Sequence, residues 1–302
     1  MNITLTGATG FLGTRLTRRL VEAGHSIHAL GRKRPANLPP AVRFSEWRSS
    51  DSEPPAESLA DADAVIHLAG EPVAQRWTAE AKKRIRSSRV DGTRHLVNAL
   101  STESRRPRVL ISASAIGIYG SRGDEILTEG SNPGDDFLAR VVIDWEKAAA
   151  LAEALGIRVV RLRFGVVLGP DGGALQKMLP PFRFGVGGRI GSGRQWMSWI
   201  HIDDAINLIL YSFENPGVCG AVNATAPNPV TNAEFTRELA RALHRPAIFP
   251  VPKVALKLLF GEMASMVLAS QRVLPEAAKK AGFAFGHPQL GPALRGLIAK
   301  GD

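Results

Sequence analysis

Apolar positions in the first 165 residues of this 302-residue chain fall into short runs of strand length, separated by stretches of helical period. Met1 to Thr6 sets Ile3 and Leu5 in a first strand. From about Phe11 to Ala23, Leu12, Leu16 and Leu20 recur on one helix face, and Gly24 ends the pattern. Further strands are predicted at Ser26 to Leu30, Val42 to Trp47, Ala64 to Leu68, Val109 to Ala113 and Ile157 to Phe164. Helices from about Ala79 to Thr102 and from Asp136 to Leu155 separate the later ones. Strands that alternate with helices imply an α/β fold, a doubly wound parallel sheet covered on both faces, with ligand at the carboxyl ends of its strands.

The texture changes after Gly169 to Gly-Pro-Asp-Gly-Gly, the segment Leu175 to Phe184 and a glycine-rich loop from Gly185 to Gly193. A helix from about Asp204 to Phe213, a strand near Gly220 to Ala224 and a helix from Asn232 to Leu243 follow. The division expected is a nucleotide-binding domain over 1–168 and a smaller C-terminal substrate lobe over 169–302. Elements near 199–224 interleave with the main sheet, and a helical segment begins at about 250. The Pro-rich stretch Asp51 to Glu57 is a connection, and no internal repeat occurs.

The junction of the first strand and first helix carries the chemistry. Gly7, Gly10 and Gly13 stand at the spacing of a Rossmann-type fingerprint: the first for a tight turn, the second for close approach of a diphosphate, the third for packing of helix on strand. Gly7, Thr9, Gly10, Phe11, Leu12 and Gly13 are therefore the expected diphosphate cradle, with the helix dipole aimed at the anion. An NAD site normally presents an acidic residue after the second strand, yet none lies between Glu22 and Glu46. Gly31 is followed instead by Arg32, Lys33 and Arg34, and a guanidinium matches the 2′-phosphate of NADP(H). NADP(H) is the expected cofactor.

Composition narrows the classes without adding a site. The chain is 44% hydrophobic and 22% charged, as an ordinary globular protein is. Cys219 is the only cysteine, which excludes a disulfide framework and suits a reducing cytoplasm. No uncharged apolar run reaches membrane-spanning length and no signal segment is expected, so the location expected is cytoplasmic, with no membrane partner. The net charge of +10 is dispersed and carries no nucleic-acid-binding motif; the first 110 residues hold 18 Lys and Arg against 11 Asp and Glu, in keeping with anionic ligands. Lys82, Lys83, Arg84, Arg86 and Arg89 form the densest basic run, most of it a solvated helix face. No His, Cys, Asp and Glu set has metal-ligand spacing, so no metal is expected, and no serine-nucleophile elbow is present.

Gly7-Ala8-Thr9-Gly10-Phe11-Leu12-Gly13, Asp63-Ala64-Val65-Ile66-His67-Leu68-Ala69-Gly70, Arg89-Val90-Asp91-Gly92-Thr93 and Trp199-Ile200-His201-Ile202-Asp203-Asp204 together resemble the extended short-chain dehydrogenase/reductases. Leu68-Ala69-Gly70-Glu71-Pro72, Gly134-Asp135-Asp136-Phe137, Val167-Leu168-Gly169-Pro170-Asp171-Gly172-Gly173, Gly191-Ser192-Gly193-Arg194-Gln195 and Ala269-Ser270-Gln271-Arg272-Val273-Leu274-Pro275 narrow the similarity to an atypical branch. This is the epimerase family protein group, NAD-dependent epimerase/dehydratase-like with a C-terminal domain of unknown function. The resemblance covers essentially the whole chain. It implies that Arg89 reaches cofactor phosphate or ribose, and that Leu68, Ala69, Gly70 and Val167 contact the nicotinamide half.

The chain departs from that pattern at the reacting groups. The superfamily uses a tyrosine and a lysine four residues later, but Tyr119 and Tyr211 are followed at that distance by Gly123 and Asn215. Counting from the helix that holds Glu146, the two places fall on Leu138 and Val142, and the usual Ser/Thr falls on Ala115, one place from Ser114. The arginine that grips nucleotide-sugar diphosphate in relatives is Met197 here, leaving Arg194 as a substitute from the preceding loop. Glu71, Ser114 and Tyr119 are the replacement catalytic candidates, each weighed against a structural role: a salt bridge for Glu71, and for Tyr119 a phenol pKa too high for base catalysis without a lysine. His201 is read as a structural hydrogen-bonding group and Asp203 as the cap of the helix after it; Trp77, Trp196 and Trp199 are candidates to line the substrate lobe.

Two functions follow from this reading. One is an NADP(H)-binding epimerase-family oxidoreductase acting on a small carbonyl or sugar-like substrate, with proton transfer rerouted to Glu71, Ser114 or water. The other is a non-catalytic NADP(H)-responsive sensor. Either a monomer or a homodimer through the helices Ala79 to Thr102 and Asp136 to Leu155 is compatible with the resemblance, with basic crowding on the first helix working against the dimer.

Overall fold

A computed structural model describes residues 1–299. Strand β1 (Asn2–Thr6) leads into α1 (Phe11–Glu22), followed by β2 (Ser26–Gly31), β3 (Arg43–Glu46), β4 (Ala64–His67), α2 (Ala79–Thr102) and β5 (Val109–Ala115). After the short β6 (Ile126–Leu127), α3 (Phe137–Ala150) returns the chain to β7 (Arg158–Phe164). Then come β8 (Val166–Gly169), α4 (Gly173–Arg183), β9 (Trp196–Met197), β10 (Trp199–His201), α5 (Ile202–Glu214) and β11 (Gly220–Ala224). The remainder holds β12 (Val230–Thr231), α6 (Asn232–Leu243), α7 (Lys253–Phe260), α8 (Ala264–Leu268), β13 (Arg272–Val273), α9 (Glu276–Lys280) and α10 (Leu290–Ala299).

Seven strands form one sheet in the order β11-β7-β5-β4-β1-β2-β3, and every neighbouring pair is parallel. This is the expected Rossmann-like α/β fold. Successive residues on the central strands feed opposite layers: Ile66, Ile111 and Val160 pack with Leu16 and Leu20 of α1, whereas Val65, Leu110 and Val159 pack with Leu96 and Leu100 of α2. That two-sided burial is why the strands read as continuous apolar runs. Strand order reverses between β1 and β4, so their carboxyl ends open a crevice, the usual ligand position in such sheets.

Local signals place the elements around that crevice. Thr78 caps α2 by accepting from the Ala81 amide at 3.2 Å, and Asp136 caps α3 by accepting from the Ala139 amide at 2.9 Å. The helix expected to run to Leu155 ends as α3 at Ala150, and a 3-10 turn continues to Leu155 before the left-handed Gly156. Strand β11 joins the main sheet beside β7, while β10 pairs with β8 outside it. Asp203 does not cap α5: His201 does, its Nδ1 accepting from the Asp203 amide at 3.1 Å. The chain enters the helix at Ile202, two residues earlier than apolar spacing suggests, which moves the cap two residues back.

His67, at the carboxyl end of β4, is fully buried between Thr6 Oγ1 at 2.7 Å and Thr93 Oγ1 at 3.0 Å. Burial pushes its imidazole down to about 4 from 6.5, so the folded protein holds it neutral while the unfolded chain protonates below about 6.5. The unfolded state then binds the extra proton, and stability falls as pH drops. A loss of about 2 kcal/mol between neutral pH and pH about 5 is expected in urea titrations, with His67→Gln flattening that part of the profile. An unchanged slope in the variant would remove His67 as the cause.

Candidate functional site

The turn after β1 is pressed against the turn after β4. Gly7 has φ +74°, and a Cβ there would lie 2.8 Å from the Leu68 carbonyl carbon. A side chain at Gly13 would overlap the Gly7 carbonyl, so only glycine lets α1 start so close to its strand. Gly10 opens α1 with its amide on the Gly7 carbonyl at 2.9 Å, no side-chain cap and no acidic residue in the first turn. The amides of Phe11, Leu12 and Gly13 therefore have no intrahelical acceptor and face the crevice beside the exposed Thr9 and Gly10. The Phe11 ring is seated on Gly172 and Gly173, where a Cβ would come within 2.5 Å and 2.7 Å of it. The Gly-Pro-Asp-Gly-Gly stretch thus acts as a backing for the cradle, and Arg15 of α1 bonds Asp171 at 2.8 Å.

Gly31 closes β2, and the Arg32 that follows is exposed with no protein partner among the described residues. Arg34 is used otherwise, donating to the Val42 carbonyl at 3.3 Å. The Trp47 amide bonds the Gly31 carbonyl at 2.8 Å, which brings Arg48, also exposed, to the same corner. The parallel pairing of β2 with β3, which sets Gly31 level with Glu46, brings the loop that carries Arg48 to the end of β2, and no local spacing in the sequence records that placement. The exposed, unpaired guanidinium of Arg32 suits a dianionic phosphate ester, with Arg48 on the neighbouring loop.

At the end of β4, Leu68 and Ala69 are half-buried and Gly70 is exposed. A Cβ on Gly70 would sit 3.1 Å from the Arg89 guanidinium, which reaches up from α2. Arg89 Nη1 donates to the carbonyls of Glu71 at 2.8 Å and Ile85 at 3.2 Å, and the cation lies 5.3 Å from the Trp145 ring. Burial lowers the pKa of this guanidinium to about 10, which leaves it charged at neutral pH. Val167 on β8 is half-buried and pairs with Ile200 of β10. The Glu71 carboxylate accepts from Gln75 at 3.2 Å and faces Arg84 Nε at 3.7 Å. Its geometry is that of a salt bridge.

Ser114 and Tyr119 point inward. Ser114 Oγ donates to Glu146 Oε1 at 2.5 Å, and Arg163 grips the same carboxylate through Nε at 2.7 Å and Nη2 at 2.8 Å. Arg163 Nη1 donates to the Tyr119 hydroxyl at 2.8 Å, which in turn donates to Asn223 Oδ1 at 2.7 Å. Tyr119 is fully buried, and burial pushes its phenol above 10. The cause is register: β5 extends through Ala115, so Ser114 pairs with Arg163 of β7 inside the sheet rather than standing on a loop. Both hydroxyls are committed to this network, and neither is retained as a proton donor.

A cavity of about 300 Å³ lies beyond the carboxyl ends of β4 and β5, lined by Trp77, Gly117, Phe137, Leu138, Met266 and Gln271. Leu138 thus lines the wall at the place assigned to the family tyrosine, while Val142 one turn on packs with Ile116 and Tyr119. Gln271 spends its amide on the carbonyls of Ile116 and Gly120, both at 3.0 Å. Lys82 and Glu262 form an ion pair, and Glu262 also lines the cavity. Trp77 meets Phe137 edge-on at 5.3 Å, Trp196 donates to Asp124 at 2.8 Å, and Trp199 is wholly core. Arg194 is exposed on its loop.

One constellation was invisible in the sequence. His201, Asp203 and His287 bring ligand atoms within 4.8 Å of one another, which sequence spacing did not suggest. The two imidazoles stack at 3.6 Å with planes 12° apart, so their in-plane lone pairs run parallel rather than converging on an ion at about 2.0–2.1 Å. Buried Asp204 accepts from the amides of Gly286 and His287, both at 2.9 Å, and tethers the C-terminal segment to α5.

The NAD dependent epimerase/dehydratase family model matches residues 3–224, and a domain of unknown function, DUF1731, matches residues 251–297. The chain belongs to this epimerase family. It is 43% identical over 300 residues to the epimerase family protein YfhF of Bacillus subtilis, covering 99% of this chain and 98% of that protein. The chloroplastic epimerase family protein SDR39U1 homolog of Arabidopsis thaliana is 42% identical, with 99% and 87% covered. The crystal structure of human epimerase family protein SDR39U1 with NADPH superposes with a TM-score of 0.89 at 34% identity, covering 99% of both chains. UDP-glucuronic acid 4-epimerase from Bacillus cereus shares the fold with a TM-score of 0.81 at 17% identity.

Proposed function

We propose that the protein is an NADP(H)-dependent reductase of small, largely apolar carbonyl compounds. The observation that carries this reading is that an open amide cradle, an unpaired Arg32 and a cavity with an apolar wall at Leu138 all follow the carboxyl ends of strands of one parallel sheet. Gly7, Gly10 and Gly13 leave room that any Cβ would fill, so the residues present fit a dinucleotide diphosphate, with Arg32 and Arg48 for the 2′-phosphate. Such a crevice also suits the NADPH with which the human relative was crystallised. When bound, the dinucleotide supplies hydride at C4 of its nicotinamide.

The chain's own residues orient the partners and leave water access to the carbonyl oxygen. Trp77, Phe137, Leu138 and Met266 form an apolar wall that accepts an aromatic or aliphatic aldehyde and offers no anion clamp for a nucleotide sugar. With no phenol and lysine at Leu138 and Val142, and with Glu71 held by Arg84 and Gln75, solvent water donates the proton to the carbonyl oxygen. Losing a positioned general acid costs about 10²–10⁴-fold, so slow turnover is expected.

Calorimetry with NADPH and NADH, followed by NADPH consumption with a panel of apolar aldehydes and UDP-sugars, tests the reading. Slow consumption with the aldehydes and none with the sugars supports it. Cofactor binding with no consumption in any case overturns catalysis in favour of an NADP(H)-responsive sensor, the reading that the leucine at position 138 also favours. Leu138→Trp, which fills the cavity, is expected to raise KM for the aldehyde about tenfold or more while leaving the NADPH Kd unchanged.

A further inference from the structure

Eight of the eleven large hydrophobic side chains exposed among the described residues lie between Phe184 and Phe260. Phe184 is 82% exposed, Ile248 73%, Phe249 62%, Val254 67%, Leu258 75% and Leu259 68%. Single exposed apolar residues need no explanation, but a cluster on one lobe does. The segments are joined: Ile190 bridges Val251, the Val251 amide bonds the Arg189 carbonyl at 2.8 Å, and a side chain at Gly188 would overlap the Phe249 carbonyl. Helix α7 is turned outward, burying only Leu256 and showing Val254 and Leu258 together with Lys253 and Lys257.

Positive charge dominates this face. No Asp or Glu occurs over 172–202 or over 239–261, and the same stretches hold eight Lys and Arg. Next to Ile248 opens a surface cavity of about 670 Å³ lined by Arg189, Arg237, Arg241, His244 and Arg245. The acid beside it is Glu238, which pairs with Arg237 and with Arg241 at 2.9 Å. The remaining cations have room for an anion.

We propose that this face docks the protein on an anionic lipid surface, with Phe249, Leu258 and their neighbours entering the acyl boundary and the basic cavity holding lipid phosphate groups. Large apolar side chains flanked by lysine and arginine are what interfacial binding requires, each cation gaining from the negative surface potential. A second copy of the chain fits the face less well, because two-fold pairing would set like charges against each other. The expectation of no membrane partner rested on the lack of a spanning segment. Among the described residues no helix is long and apolar enough to cross a membrane, and surface docking needs none.

Co-sedimentation of the full chain with phosphatidylcholine vesicles, with and without about one-third phosphatidylglycerol, tests this. The protein is expected to pellet with the anionic vesicles only, and to be released when salt rises from about 0.1 M to about 0.5 M. Phe249→Ser with Leu258→Ser should lower the vesicle partition at least about tenfold, and Lys253→Gln and Lys257→Gln about fivefold each, with NADPH binding retained as proof of folding. No binding to anionic vesicles overturns the proposal. So does a concentration-dependent dimer in lipid-free sedimentation that Leu258→Ser abolishes, since the face would then belong to a second copy.

Discussion

Arg32→Ala is expected to weaken NADPH binding about ten- to a hundredfold while NADH binding stays nearly unchanged. A charge-assisted hydrogen bond contributes about 1.5–3 kcal/mol, and the 2′-phosphate is the one group that separates the two cofactors at this corner. Arg48→Ala should give a smaller loss in the same direction, because Arg48 lies on the loop two residues beyond β3 rather than at the end of β2. Raising salt should narrow the preference, since both cations are exposed. Isothermal titration of both cofactors against both variants checks this. An equal loss for NADH would mean that Arg32 supports the fold and not the phosphate, and no loss for NADPH would remove it from the site.

Glu146→Ala carries the largest expected effect on stability, about 3–5 kcal/mol in urea unfolding. The carboxylate accepts two bonds from Arg163 and one from Ser114 in a nearly dry interior, with side chains 7% and 10% exposed. Removing it strands a buried guanidinium, whose pKa the carboxylate now holds above the usual arginine range. Replacing both partners by apolar residues, Glu146→Leu with Arg163→Met, should recover much of the loss, because the unpaired charge goes with the pair. The network lies across the sheet from Arg32, so NADPH affinity per folded molecule should hold. A Glu146→Ala protein within about 1 kcal/mol of the parent would return Ser114 to the list of reactive groups.

The glycine turn after the first strand was legible because backbone chemistry writes itself locally. Gly10 and Gly13 meet atoms of the same turn, and Gly7 needs its positive φ there, although the turn after β4 also presses on it. The substitution of Arg32 for an acidic residue stands at a set distance along the next strand. Strand positions were readable for a similar reason: a doubly covered parallel sheet asks for continuous apolar runs. The reacting side chains were less legible. Ser114 and Tyr119 looked available because a hydroxyl near a strand end resembles a site, and nothing local records that Arg163 and Glu146 arrive from β7 and α3 to claim them. Arg48, the Phe11 seat on Gly172 and Gly173, and the Asp204 tether were missed on the same ground.

By itself the sequence determined an α/β sheet wound on both faces, a glycine cradle at its first turn, a basic group where a ribose acid normally stands, and the absence of the tyrosine and lysine pair. These depend on residues within one or two turns of each other, where spacing alone dictates geometry. Only the tertiary structure decided which hydroxyls are buried, which wall of the cavity Leu138 forms, and where the exposed apolar and basic residues of the C-terminal lobe gather. Those outcomes join residues as far apart as Tyr119 and Asn223, or Arg189 and Val251. Packing of the whole chain sets such distances, and no periodicity along it encodes them.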